Sequence, residues 1–254
     1  MRDFTSAQWK LKHAYSHIEK FERERTAFLR SHPCTVRPQF NPNTRYTDYV
    51  VEHVDEVPTT LVLILGDAVH NLRAVLDHIA AALVRANGQT KTDIFPICDS
   101  ESRFQDWGMR RIKRMSPADQ ERIRFIKPYL GGRDLLWALH QLDITDKHKL
   151  LITSIQCAGA VKHRFDQSSI MAALPVPEEL IVPLLGPLPV AECGKVVASY
   201  PGNVELDQDV DLSFDVGFGK NVEVFGGRLV GESLTQMAKE VEGIYNAFER
   251  TAAF

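Results

Sequence analysis

Thr59–Ala86 reads TTLVLILGDAVHNLRAVLDHIAAALVRA, and the reading of the fold starts from it. Successive residues advance about 100° around a helix. On that rule Ile64, Ala68, Leu72, Val75, Leu76, Ile79 and Leu83 fill one broad apolar side. With Asp67 as zero, His78 and Asn71 fall within about 40° of it, while His70, Asp77 and Arg73 follow near roughly 300°, 280° and 240°. The polar groups therefore form one continuous face. So wide an apolar side predicts a core helix from Pro58 or Thr59 to Ala86, stopped by Asn87–Gly88. The longest apolar run inside it, Leu61–Leu65, is closed by Gly66 and Asp67. A membrane span needs roughly 20 apolar residues, so the expectation is a core helix and no membrane.

Working outward, Leu11, Ala14, Tyr15, Ile18, Phe21, Phe28 and Leu29 recur at helical spacing, which predicts a helix over 7–30 with Ser6 as N-cap. Pro33, Pro38 and Pro42 end it. VRPQF and TRYTDYVVEHVDEVP, joined by Asn41–Thr44, read as a β-hairpin near 34–54. Two helices are expected around Glu101–Met115 and Pro117–Lys127, the second with Ser116 as N-cap and Pro117 as first helical residue. Another begins at Gly131–Gly132 and runs through RDLLWALHQLDITDKHKLL, with Asp134 in its first turn. After Leu151 the periodicity changes. LLITSIQ, GKVVASY, DVDLSFDVGFG and NVEVFGGRLV read as strands, and the proline-rich PVPEELIVPLLGPLP suits only an extended loop or a sheet edge. Leu234, Met237, Val241, Ile244, Tyr245 and Phe248 share one face of a closing helix. The expected class is α+β: a helical bundle with an antiparallel β-sheet and a C-terminal helix packing back on the bundle. It is read as a single domain over 1–254, with a mainly helical part to 148, a β-rich part over 149–230 and the last helix over 231–254.

The 254 residues are 44% hydrophobic and 25% charged with a net charge of −3, which excludes wholesale disorder. Cys34, Cys98, Cys157 and Cys193 are widely spaced, so neither a Cys-x-x-Cys metal or redox motif nor a disulfide framework is expected. MRDFTSAQWKLKHAY carries charges where an export signal needs an apolar run, and a cytoplasmic location is expected. Charge is unevenly placed. From Arg103 to Arg133 nine basic residues face three acidic ones, a local charge of +6, and from Arg164 onward six basic face fourteen acidic, or −8. The basic segment is either a polyanion-binding face, with Arg110, Arg111, Lys113 and Arg114 as RNA contacts, or a solvated amphipathic helix.

Exposed helix faces are usually rich in Lys and Glu, and Leu65–Val84 contains neither. Two imidazoles, two carboxylates, an amide and a guanidinium are an expensive set to bury without a role. A second string, LHQLDITDKHKLL (Leu139–Leu151), places His140, Asp143 and Lys147 on one stripe. Asp146 lies on the apolar stripe of Leu135, Leu139, Leu142 and Leu150, so it needs an internal partner, with His70, Arg73 and His78 as candidates. Both strings are expected to meet in one network.

Arg73-Ala-Val-Leu-Asp-His78 is similar to the Arg–His signature of HEPN-domain ribonucleases, helical modules of toxin–antitoxin and defence systems, and Arg133 to His140 also fits its spacing. The paired NLRxxLDH-like and LDxxDKH-like segments resemble a bacterial protein family as well, which implies no activity. The ribonuclease resemblance implies metal-independent RNA cleavage without a cofactor, at a site shared across a homodimer, with RNA and an antitoxin or defence partner. It implies Arg73, His78 and Asp77 as the catalytic group, supported by Asp67, His70, Asn71, His140, Asp143, Asp146 and His148. An imidazole would take the ribose 2′-OH proton and a guanidinium would stabilise the phosphate charge. Two other readings stand beside it. One is a non-catalytic scaffold or binding protein with a buried polar network. The other is a metal-dependent hydrolase using His70, Asp77, His78, Asp143, Asp146 and His148, although no HExxH-like spacing is present. No P-loop, GxGxxG or GxSxG string occurs.

Overall fold

The structure, a computed structural model, describes residues 2–90, 94–151, 153–164, 179–183, 191–201, 212–219, 222 and 225–250. The fold is α+β, and the chain divides into a helical unit (1–23, 59–151 and 231–254) and a β-rich unit (24–58 and 152–230).

The helical unit is built around α2 (Thr59–Ala86), in which Leu61, Leu65, Leu72, Leu76, Ile79 and Leu83 are fully buried. Each such side chain contributes about 1.5–3 kcal/mol relative to an exposed one. By length and composition α2 could cross a bilayer, but 67% of its most apolar window is buried in the fold, as in a core helix. It stops where Gly88 takes a φ of 74° and its N–H returns to the Arg85 carbonyl. Against α2 lie α1 (Thr5–Arg30) through Lys10 and His17, and α6 (Asp134–His148) through His70 and Arg73. The last helix, α7 (Val230–Glu249), returns to the bundle. Glu242 accepts from the Tyr15 hydroxyl at 2.6 Å, Tyr245 packs edge-on to Phe4, and Glu240 pairs with Arg133 at 2.6 Å.

Three local expectations are corrected. The first helix starts at Thr5, not after Ser6, because the Asp3 carboxylate accepts the Thr5 N–H at 2.9 Å and caps it. The 101–115 helix is broken into α3 (Glu101–Arg103) and α4 (Met109–Ile112) by a π-helical turn, Phe104–Gly108, which buries Phe104. In NVEVFGGRLV, residues 225–228 form a turn and, among the described residues, only Leu229 makes a bridge, to Gly217. By contrast α5 (Pro117–Ile126) starts as expected, with the Ser116 hydroxyl accepting from the Asp119 N–H.

In the β-rich unit the strands form two three-stranded antiparallel sheets in place of one. β1 (Cys34–Asn41), β2 (Tyr46–Val54) and β5 (Val196–Pro201) form the first, in the order β1-β2-β5. Pro38, which cannot donate to a ladder, sits on the edge strand β1 opposite Tyr49. β3 (Thr153–Arg164), β4 (Glu179–Pro183) and β6 (Leu212–Phe218) form the second, in the order β4-β3-β6. The proline-rich stretch thus supplies an edge strand; its remaining residues lie outside the described ones. Tyr49, Val51, Ile155, Cys157, Val197 and Ala198 form the core of this unit, with Phe28 packed against it. Cys34, Cys98 and Cys157 are buried thiols, Cys193 is exposed, and none is bonded to another.

Candidate functional site

The polar face of α2 is divided by its neighbours into three clusters, each with its own chemistry. All three lie in the helical unit.

The first is closed. Arg73 is only 4% exposed and each of its three side-chain nitrogens donates: Nη1 to Asp77 Oδ1 (2.7 Å), Nη2 to the Phe95 carbonyl (2.9 Å) and Nε to His140 Nδ1 (3.3 Å). Asp77 Oδ1 in turn accepts the Phe95 N–H at 2.8 Å. The ion pair therefore grips both backbone polar groups of fully buried Phe95 and fastens the segment after α2 to the helix. Burial, aided by the Arg73 charge, pushes the His140 imidazole down to about 4. It is neutral at physiological pH, with Nδ1 as acceptor and the proton on Nε2.

The second cluster joins α2 to α6. Asp143, buried, accepts from His70 Nδ1 at 3.0 Å with one oxygen and from Lys147 Nζ at 2.5 Å with the other. Asp146 does not reach His70, Arg73 or His78 by hydrogen bond. Its carboxylate lies over Gly66, where an added Cβ would stand 2.5 Å from both oxygens. Among the described residues no donor meets it. Burial, with Asp143 and Asp67 nearby, raises its pKa above the ordinary carboxylate value.

The third cluster joins α2 to α1. Asn71 holds its side chain to the Asp67 carbonyl and accepts from Lys10 Nζ at 3.0 Å. His17 Nδ1 lies 3.9 Å from Asp67 Oδ2, and His17 Nε2 lies 3.1 Å from His13 Nε2. His78 is half-buried, and its pKa is lowered by burial and then by the Lys10 ammonium.

The structure thus gathers most of the residues singled out in the sequence but does not pair them as the Arg–His signature would. Arg73 and His78 belong to different clusters. Arg133 pairs with Glu240, away from half-buried His140. His148 is exposed at the end of α6 and joins none of the three. Lys10, His13 and His17 were not among the candidates, although their spacing along α1 already placed them on one stripe. No three of the His, Cys, Asp and Glu side chains among the described residues converge as a metal-binding group.

Part of the basic segment is paired where it stands. Arg110 pairs with Asp106 and Arg124 with Glu121, each at 2.6 Å, while Arg122 lies 3.6 Å from Asp119. Arg103 and Arg111 lie over the Trp107 ring at 5.8 and 4.8 Å. Lys113 is exposed and Arg114 half-buried, with the Arg114 carbonyl accepting from Asn87. Nearby, α5 and α7 leave a cleft of about 500 Å³ lined by Ala118, Phe125, Ile126, Ala247 and Phe248 beside Glu121 and Arg122. Phe125 is 83% exposed at its edge.

Compared with protein-family models, curated proteins and solved structures, the chain matches none of them.

Proposed function

We propose that the chain is a non-catalytic binding module, in which the Arg–His motif of α2 is a fastener inside the fold. The observation that carries this is Arg73, 4% exposed with Asp77, Phe95 and His140 on its donors. A phosphate could reach it only by breaking the half-buried ion pair with Asp77 and stranding the Phe95 carbonyl, each step costing about 1–3 kcal/mol. The partner is a second copy of this chain. Phe125 of each copy, 83% exposed beside the apolar α5–α7 cleft, enters the other's cleft, so that one self-complementary patch serves both copies about a two-fold axis. Sedimentation of the wild type and of Phe125→Ser tests the assembly: a dimer that becomes a monomer is expected, and a monomeric wild type refutes it.

A second reading, metal-independent RNA cleavage, is favoured by one observation. His78 is held neutral beside the Lys10 ammonium, which puts a base and a cation together without Arg73. Incubation with single-stranded RNA separates the two readings. The binding module leaves RNA intact, whereas the nuclease yields cyclic-phosphate ends and loses orders of magnitude in rate in His78→Ala and Lys10→Ala.

A further inference from the structure

The third cluster contains a pair of imidazoles that neither the fastener nor the assembly uses. His13 and His17 lie one helical turn apart on α1, and their Nε2 atoms are 3.1 Å apart. The ring centroids are 4.5 Å apart with planes at 79°, so the two Nε2 atoms are the near corners of the rings. Two nitrogens each about 2.0–2.1 Å from one cation stand about 2.9 Å apart at a right angle and about 3.3 Å apart at the tetrahedral angle. The observed separation lies between these values.

Tautomers decide between a chelating pair and a simple hydrogen bond. Among the described residues the carboxylate near His17 is Asp67, whose Oδ2 lies 3.9 Å from Nδ1 across on α2. That is beyond hydrogen-bond reach, but the carboxylate charge favours the proton on Nδ1, the tautomer whose Nε2 lone pair can bind a cation. A carboxylate behind a metal-binding imidazole is the arrangement that orients the ring and raises its basicity as a ligand. His13 is exposed, and among the described residues its Nδ1 has no partner, so water can take that proton and leave its Nε2 free as well. Lys10 and Lys20 on the same helix oppose a cation, and Asp67, with a side chain 64% exposed, favours one.

We propose that His13 and His17 form a two-nitrogen chelating site for a divalent borderline transition cation, with Asp67 as the positioning residue behind His17 and water completing the coordination. Imidazole pairs prefer copper over nickel and zinc. The site is open, because two protein ligands leave the remaining positions to solvent.

The test uses the full chain carrying Cys193→Ser, which removes the exposed thiol as a rival ligand. Cupric, nickel and zinc ions are titrated separately by calorimetry, and nitrogen coordination of copper is read by electron paramagnetic resonance. Saturable one-to-one binding is expected, strongest for copper, with two coupled nitrogens in the spectrum. His13→Ala and His17→Ala should each weaken it at least tenfold with helix content unchanged by circular dichroism, and Asp67→Asn severalfold. His53→Ala, at an exposed histidine of the β-rich unit, should leave it unchanged. Binding that survives both His13→Ala and His17→Ala, or no saturable binding of any of the three ions, overturns the proposal. Should His17→Ala disturb the half-buried contact to α2, exposed His13 alone still decides.

Discussion

Replacing Arg73 with methionine keeps much of the side chain's apolar length and removes all three of its donating nitrogens. The Phe95 carbonyl, on a fully buried residue, is left without the guanidinium, and a stranded buried acceptor costs about 1–3 kcal/mol. Asp77 keeps the Phe95 N–H, and its side chain is 36% exposed, so water can solvate part of the freed charge. Its share is therefore smaller than the 3–5 kcal/mol typical of breaking a fully buried pair. His140 loses its partner but also the neighbouring charge that disfavours its protonation. Together these predict a loss of about 3 kcal/mol at neutral pH, and about 2 kcal/mol for Arg73→Lys, which keeps the charge and loses the fork. Urea unfolding followed by tryptophan fluorescence is the assay, since Trp9, Trp107 and Trp137 all lie in the helical unit. A loss below about 1 kcal/mol in Arg73→Met, the size of a typical surface change, would refute the fastener and return the guanidinium to chemistry.

Further outcomes follow from the same contacts. His140 titrates near 4 in the folded chain and near its ordinary 6.5 when unfolded, so the folded state binds fewer protons. It faces Arg73 and Asp77 from α2 and Asp143 and Lys147 on its own helix. Its contribution is full above pH 6.5 and is lost as pH falls toward 4, by about 3 kcal/mol, and this slope should shrink in Arg73→Met. Asp146 has the opposite sign: its folded pKa lies above the unfolded value, so its charge costs stability at neutral pH. Asp146→Asn should therefore raise the urea midpoint at neutral pH, with the gain vanishing in acid; a loss at neutral pH would mean that the carboxylate is well paired. Gly66→Ala should destabilise the wild type by forcing the Asp146 carboxylate aside, yet add about 1 kcal/mol in an Asp146→Ala background, where only helix propensity remains. Equal effects in the two backgrounds would remove Gly66 from contact with Asp146.

The long elements were legible in the sequence because their signals are local and redundant. α2 carried a broad apolar side and an Asn-Gly stop, α5 a Ser-Pro start, and α7 an apolar stripe. The edge positions of β1 and β4 could be read from proline alone, since a missing N–H is tolerated only there. The π turn at Phe104–Gly108 was not legible, because burial of Phe104 overrides a periodicity that looked regular. Of the candidate site, the meeting of the two polar strings was legible from Asp146, an acid on an apolar stripe, and from the polar face of α2. How the pairs would sort was not. Arg73 chose Asp77, His140 and a backbone carbonyl of Phe95, a residue with no polar side chain to announce it. Asp146 found a glycine where the sequence suggested a cation. Lys10, His13 and His17 form a stripe at helical spacing in the sequence, but nothing in α1 alone shows that it faces Asp67 and Asn71.

The central claim is that Arg73 holds the fold together and does no chemistry, and RNA cleavage by matched, folded proteins tests it most directly. Wild type and Arg73→Lys, shown by circular dichroism to be equally helical, are incubated with single-stranded RNA of mixed sequence after metal chelation. Intact RNA in both samples, together with the lower urea midpoint of Arg73→Lys, is the predicted result. Cyclic-phosphate products from the wild type that disappear in Arg73→Lys would contradict it.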